Sequence, residues 1–115
     1  MDIIKIKKLE KKLGSPFYVL NIRQYEENLS LFKAAFLKRY PRLIVGYSFK
    51  TNYLPPLCYA AKKQGVFAEV VSRFEYDLAL KLGFKDTSII FNGPVKKKED
   101  IYRALDNESI INLDS

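Results

Sequence analysis

A lysine stands near the end of the stretch Gly46-Tyr47-Ser48-Phe49-Lys50-Thr51-Asn52, just behind the apolar run Leu43-Ile44-Val45 and shortly before Pro55-Pro56. Turns have no special need for lysine. A primary amine held over the mouth of a barrel would be desolvated, its pKa would fall, and the neutral form could make a Schiff base with a carbonyl compound. The plainer reading is a solvated lysine at a strand end, as most lysines are. A carboxylate, Glu69, lies inside the apolar stretch Val66-Phe67-Ala68-Glu69-Val70-Val71. Burying it is costly unless it is paired, so it is expected to face the barrel lumen and to pair with Lys50 or stay protonated. An exposed strand edge is its other reading. Ser72 and Glu75 have the spacing of a helix capping box, and Asn92-Gly93-Pro94 is a further polar turn behind an apolar run. The chain has no histidine and one cysteine, Cys58. That removes His-based triads and the commonest metal ligand and argues against a zinc cluster, so no metal site is expected.

The elements that must position these groups follow from periodicity and punctuation. Asn21, with Gln24 three residues later, reads as a helix start. Ile22, Tyr25, Leu29, Phe32 and Phe36 recur at helical spacing as a buried face, and Pro41 ends the helix. Before it, residues 16–20 are a short strand candidate. From there strands are expected over 42–49, 66–71, 87–91 and 109–113, with helices over 55–65, 72–83 and 96–105 between them. This βαβαβαβ order predicts a parallel sheet with right-handed crossovers. An open doubly wound sheet and a (β/α)8 barrel both use that unit, and both bind ligands at the carboxyl ends of their strands. Lys50, Ser72, Asn92 and Asp114 are therefore expected on one rim.

The 115 residues suffice for one small domain, and 48% apolar residues with eight Phe and eight Tyr predict a packed core. The net charge of +7 admits an acidic partner or only a basic surface. A basic binding module should interleave aromatics with Lys and Arg on an exposed face. Tyr25, Phe32 and Phe36 are instead expected on a buried one, so nucleic acid is not expected as a partner. The run Lys96-Lys97-Lys98 reads as a solvated helix start, and Cys58 as a small core residue. No internal disulfide can form, the N-terminus has no apolar signal core, and no apolar run approaches a membrane span. The expectation is a cytoplasmic protein without membrane contact.

Taken together, Gly46–Asn52, "AEVVSRFEYDLALKLGF", "IIFNGPVKKKEDIYRAL" and "INLDS" resemble the pyridoxal-phosphate (PLP) amino-acid decarboxylases of the ornithine/diaminopimelate decarboxylase family, whose barrels are of the alanine-racemase-like fold type III. In that family a tyrosine, two residues and a Lys-small-Asn triplet end the first barrel strand. Tyr47 and Lys50-Thr51-Asn52 match it. The acid, two small or apolar residues, serine and later Glu of the next strand end are matched by Glu69, Val70, Val71, Ser72 and Glu75, and the third turn by Asn92-Gly93-Pro94. The segment 15–21 is similar to the family's N-terminal strand. The resemblance runs through nearly all of the chain from Ser15 onward. Glu69 where Asp is usual, Thr51 where Ala or Cys is usual, and Arg73 where a small or basic residue is common bear on substrate subtype.

The resemblance implies that Lys50 carries PLP as a Schiff base and that Glu69 and Ser72 face the cofactor. It implies a small amino-acid substrate, with diaminopimelate favoured over ornithine or arginine, and a homodimeric full-length enzyme. A PLP racemase or carrier barrel would share the lysine but not the "EVVSRFEY" and "FNGP" contexts. A barrel takes about 250 residues. The expected fold is therefore a partial (β/α)8 TIM barrel of about four parallel strands, with the C-terminal half and β-domain absent. The expected division is a helical lead-in over 1–14 and the first part of the PLP-binding barrel over 15–115. The ring-stacking histidine, Gly-rich phosphate loop and pyridine-pairing acid have no counterpart here, so the chain alone is expected to be inactive.

Overall fold

Side-chain alternation along short apolar strands, each followed by a capped helix, generates the architecture. The computed structural model describes residues 2–113. In order it contains Ile3–Leu13 (α1), Ile22–Leu37 (α2), Gly46–Ser48 (β1), Pro55–Lys63 (α3), Phe67–Val70 (β2), Arg73–Lys81 (α4), Ile89–Phe91 (β3), Lys98–Asp106 (α5) and Ile110–Ile111 (β4). The strands form one sheet in the order β1-β2-β3-β4, every neighbouring pair parallel. This is the α/β architecture of a partial barrel.

The register sorts the side chains onto two faces. Ser48 is level with Glu69, and Glu69 with Ile90. Ala68, Val70, Ile89 and Phe91 alternate with these positions and are buried under the helices with Phe49, Cys58, Tyr76, Ala79 and Ala104. Alanines on α3, α4 and α5 let the helices approach the sheet closely. Gly46, Ser48, Glu69 and Ile90 thus share the concave face, where a Cβ at Gly46 would stand 3.1 Å from Ile90 Cδ1 and 3.4 Å from Glu69 Cβ. Gly83 ends the α4 segment at φ +82°, a conformation that favours glycine, and its N–H donates to Leu80 O at 2.8 Å.

The amino-end rim of the sheet is held by a polar network. The Tyr76 hydroxyl donates to Asp86 Oδ1 at 2.6 Å and shares a hydrogen bond with Ser109 Oγ at 2.8 Å. Away from that rim, Arg103–Asp77 at 2.8 Å and Arg73–Asp100 at 3.2 Å tie α4 to α5, the second pair at the helix starts. The opposite rim is left for turns.

Several expectations are corrected. Residues 16–20 form no strand; Tyr18 is 99% exposed and no ladder is there to pair with. Residues 42–45 lie outside β1, and their link to the sheet is Val45 O accepting from Phe67 N at 2.9 Å. Apolar composition makes a strand only where a partner lies within hydrogen-bonding reach. Asp86–Ser88 turn as a 3-10 segment, so the third strand begins at Ile89 rather than Thr87. Phe32 and Phe36 pack against each other with tilted rings, centroids 5.0 Å apart, yet are 51% and 42% exposed, because α2 is covered along only part of its apolar stripe.

Both capping boxes form in part. Asn21 Oδ1 accepts from Gln24 N at 3.1 Å, but the Gln24 amide turns outward to Asn28. Ser72 Oγ accepts from Glu75 N at 3.3 Å, while Glu75 Oε2 reaches one residue past the cap to Val71 N at 2.8 Å.

Cys58 is fully buried, and burial pushes its thiol up to about 11. Nearby, the Tyr25 hydroxyl is buried without a hydrogen-bond partner among the described residues, edge-on to the Tyr47 ring at 5.9 Å. Burial raises its phenol far above the usual value, with Tyr47 and Cys58 adding to the effect. A buried donor without a partner costs about 1–3 kcal/mol. Tyr25→Phe removes it and keeps the ring, so this variant is expected to be as stable as the parent or about 1 kcal/mol more stable. Equilibrium urea unfolding followed by circular dichroism checks this; a clear loss of stability would reveal a partner for the hydroxyl.

Candidate functional site

Each parallel strand delivers its last residues to one rim. Phe49 N donates to Glu69 O at 2.9 Å, Asn92 N to Val70 O at 2.8 Å, and Asn112 N to Phe91 O at 3.1 Å, so the ladder continues past the strand ends. Beyond it the chain turns at Lys50, Ser72 and Asn92, placing all three on that rim. Asp114, expected there too, lies outside the described residues.

A cleft of about 340 Å³ opens at this rim, lined by Lys50, Val71, Asn92, Gly93, Pro94 and Val95. A larger groove of about 490 Å³ runs along Arg23, Glu26, Glu27, Ser30 and Leu31 of α2, far in sequence from every strand end. The strand ends converge on the smaller of the two. Gly93 forms its floor at φ +97°. A side chain there would press on Val71, with Cβ 3.0 Å from Val71 Cβ and 3.1 Å from its carbonyl oxygen. Lys96 folds back to donate to Gly93 O and places its ammonium 5.7 Å from the centre of the Phe91 ring.

Lys50 is exposed at the apex of a tight turn. This corrects the expectation of a desolvated amine: among the described residues nothing covers the rim above it, so water reaches the side chain. Its neighbours, by contrast, are fixed. Phe49 is fully buried, and the Thr51 and Asn52 amides both donate to Ser48 O, at 3.2 and 3.4 Å.

Glu69 lies on the concave face and is half-buried. Its Oε1 accepts from Asn92 Nδ2 at 3.0 Å, and among the described residues it forms no ion pair with Lys50. The expected Lys50–Glu69 pair is therefore replaced by a carboxylate–amide contact. The register explains it. Glu69 is level with Ile90, and Asn92, two residues further along, returns to the same face. Glu69 is thus linked to the cleft wall through Asn92. That role for Asn92 was missed in the sequence, where the residue reads as turn chemistry; the period-2 spacing from Ile90 is the signal that carries it.

Ser72 is half-buried at the start of α4, next to Val71 of the cleft wall, and does not itself line the cleft. Lys97 and Lys98 are exposed at the start of α5. Among the described residues no group of acidic, Cys or His side chains could hold a metal, and no helix is long and apolar enough to cross a membrane.

Comparison with known proteins agrees with this geometry. Residues 26–115 match the family described as "Pyridoxal-dependent decarboxylase, pyridoxal binding domain". The chain is 28% identical to the diaminopimelate decarboxylase of Aquifex aeolicus, over 94% of this chain and 25% of that protein. It is 33% identical to the Methanocaldococcus jannaschii diaminopimelate decarboxylase, over 93% of this chain and 26% of that protein. The crystal structure of the M. jannaschii enzyme in co-complex with L-lysine superposes with a TM-score of 0.83 at 30% identity, covering 94% of this chain and 26% of that one. The chain spans about a quarter of the length of the curated relatives it matches.

Proposed function

This chain belongs to the pyridoxal-dependent decarboxylases, matching their pyridoxal binding domain, and from that premise we propose that it supplies the lysine-bearing part of a PLP-dependent amino-acid decarboxylase of the diaminopimelate type. Lys50 is the residue that attaches the cofactor. The observation carrying this is its placement: an accessible amine on a rigid turn, at the carboxyl end of β1, facing a cleft shared with Asn92 and Gly93. Residues 1–14 act as a lead-in and 15–115 as the first part of the barrel. The absence of any buried residue on α1 supports that division.

The residues present fit PLP. The cleft volume of about 340 Å³ falls in the range of small-ligand sites; an amine, Lys50, and an amide, Asn92, line it, with the Glu69 carboxylate bonded to Asn92 and the Ser72 hydroxyl next to Val71. When bound, the cofactor supplies an electron sink for the pair released as an α-carboxylate departs. Lys50 would be the residue that holds the cofactor, through its side-chain amine. Glu69, oriented by Asn92, would present its carboxylate from the concave face beside the cleft. Ser72 Oγ already accepts from Glu75 N–H, so its hydroxyl proton is what it offers a ligand. Val71 and Pro94 give the cleft its apolar wall.

The substrate is a small amino acid. The names of the relatives favour diaminopimelate, and the L-lysine of the M. jannaschii complex fits a long-chain diamino acid. The complete enzyme is proposed as a homodimer. The test is borohydride reduction of the chain with PLP, then peptide mapping, together with carbon dioxide release from diaminopimelate, ornithine and arginine. Label at Lys50 without turnover is the expected result. The groups that align a carboxylate for cleavage and grip the phosphate are not among these residues. Label at another lysine would overturn the assignment of Lys50, and turnover by the chain alone would overturn its reading as one part of a larger site.

A further inference from the structure

The turn that carries Lys50 is closed by two kinds of bond. Three are local: Thr51 N and Asn52 N donate to Ser48 O at 3.2 and 3.4 Å, and Leu54 N donates to Asn52 Oδ1 at 3.1 Å. Any chain turning this tightly can make them. The fourth comes from the helix-facing side of β1, where the Tyr47 hydroxyl donates to the Asn52 main-chain oxygen at 2.8 Å. That bond spans the turn, joining the strand residue three before Lys50 to the residue two after it. The Cys58 thiol is a distant second donor to the same oxygen, at 4.0 Å.

The Tyr47 ring cannot easily swing away. It packs edge-to-face against Phe49 at 6.2 Å and against Tyr25 at 5.9 Å, geometries that aromatic pairs favour. Burial raises its phenol above the usual value, so the proton it donates stays in place over the whole working range of pH.

We propose that Tyr47 is a positioning residue for Lys50: its hydroxyl pins the far side of the lysine turn to the buried face of β1 and so fixes where the amine stands at the cleft. The inference rests on Lys50 being the attachment residue. It adds that the preference for Lys50 over other exposed lysines comes from the turn being held from behind, not from partners on the amine itself. An amine on a fixed stem spends less of its time away from a cleft-bound carbonyl than one on a loose loop.

The test uses the 115-residue chain and PLP as the probe, at a concentration below saturation, with cyanoborohydride. The lysine amine adds to the aldehyde carbon, water leaves, and hydride plus a proton saturate the resulting C=N bond, leaving a stable secondary amine. Peptide mapping then gives the ratio of label at Lys50 to label at Lys85, an exposed lysine just before the amino end of β3. Tyr47→Phe keeps the ring and deletes the donor, and should lower the ratio about fivefold, the effect of one ordinary hydrogen bond. Tyr25→Phe should leave it unchanged. A chain with 4-aminophenylalanine at position 47 returns an N–H donor to the same place and should restore the ratio, even if Tyr47→Phe is itself poorly folded. An unchanged ratio in Tyr47→Phe, an equal fall in Tyr25→Phe, or no recovery with the amino variant overturns the inference about Tyr47. A parent chain with no preference for Lys50 over Lys85 overturns the assignment of Lys50 itself, which is a different result and is read from the parent alone.

Discussion

Lys50→Ala is expected to abolish the specific reduced adduct, with no label in the peptide spanning the turn, while the urea midpoint of the chain stays unchanged. The two halves of this expectation have separate causes. Lys50 is exposed and forms no ion pair among the described residues, and surface replacements of that kind shift stability by no more than about 0.5 kcal/mol. The amine is nevertheless the atom that makes the covalent bond, and alanine has none. Lys50→Arg should behave like Lys50→Ala, because a guanidinium stays protonated and does not attack an aldehyde. Mass mapping after borohydride reduction checks the first half and denaturation the second. An adduct of undiminished yield in Lys50→Ala would show that PLP attaches elsewhere.

Phe49→Ala should have the opposite profile, with the chemistry intact on paper and the scaffold lost. Phe49 immediately precedes Lys50 and is fully buried, its ring 5.8 Å from Phe84 and 6.2 Å from Tyr47. Truncating a buried phenylalanine costs about 3–5 kcal/mol, part for lost apolar burial and part for the cavity left behind. Small domains have about 5–15 kcal/mol in total, so this one change should remove a large part of the cooperative transition seen by circular dichroism. The preference for Lys50 should vanish with it, because the strand end no longer has an anchor in the core. Retention of a parent-like unfolding midpoint would show that the β1 end does not depend on this ring. Set beside Lys50→Ala, the pair separates the group that reacts from the group that holds it.

The sequence by itself determined much of the architecture. Asn21 and Ser72 announced helices because a side-chain oxygen two or three residues from an unpaired N–H acts locally. Pro55, Gly65 and Gly83 bounded elements for similar local reasons, and apolar runs around Ala68, Ile90 and Ile111 located three strands. A lysine after the first strand, with its Tyr47 and Asn52 neighbours, was legible at the same level, and so was the family. Residues 16–20 and 42–45 have equally suitable composition, but the first makes no strand and the second lies outside the ladder, since strand formation requires a partner that composition does not name. Only the tertiary structure decided that Glu69 meets Asn92 and not Lys50, that the Tyr47 hydroxyl reaches Asn52, and that Phe32 and Phe36 stay open to water. Caps and turns act within about four residues of chain, whereas these contacts depend on strand register and on which surfaces find a covering neighbour, and a shift of one residue in register would send every side chain to the other face.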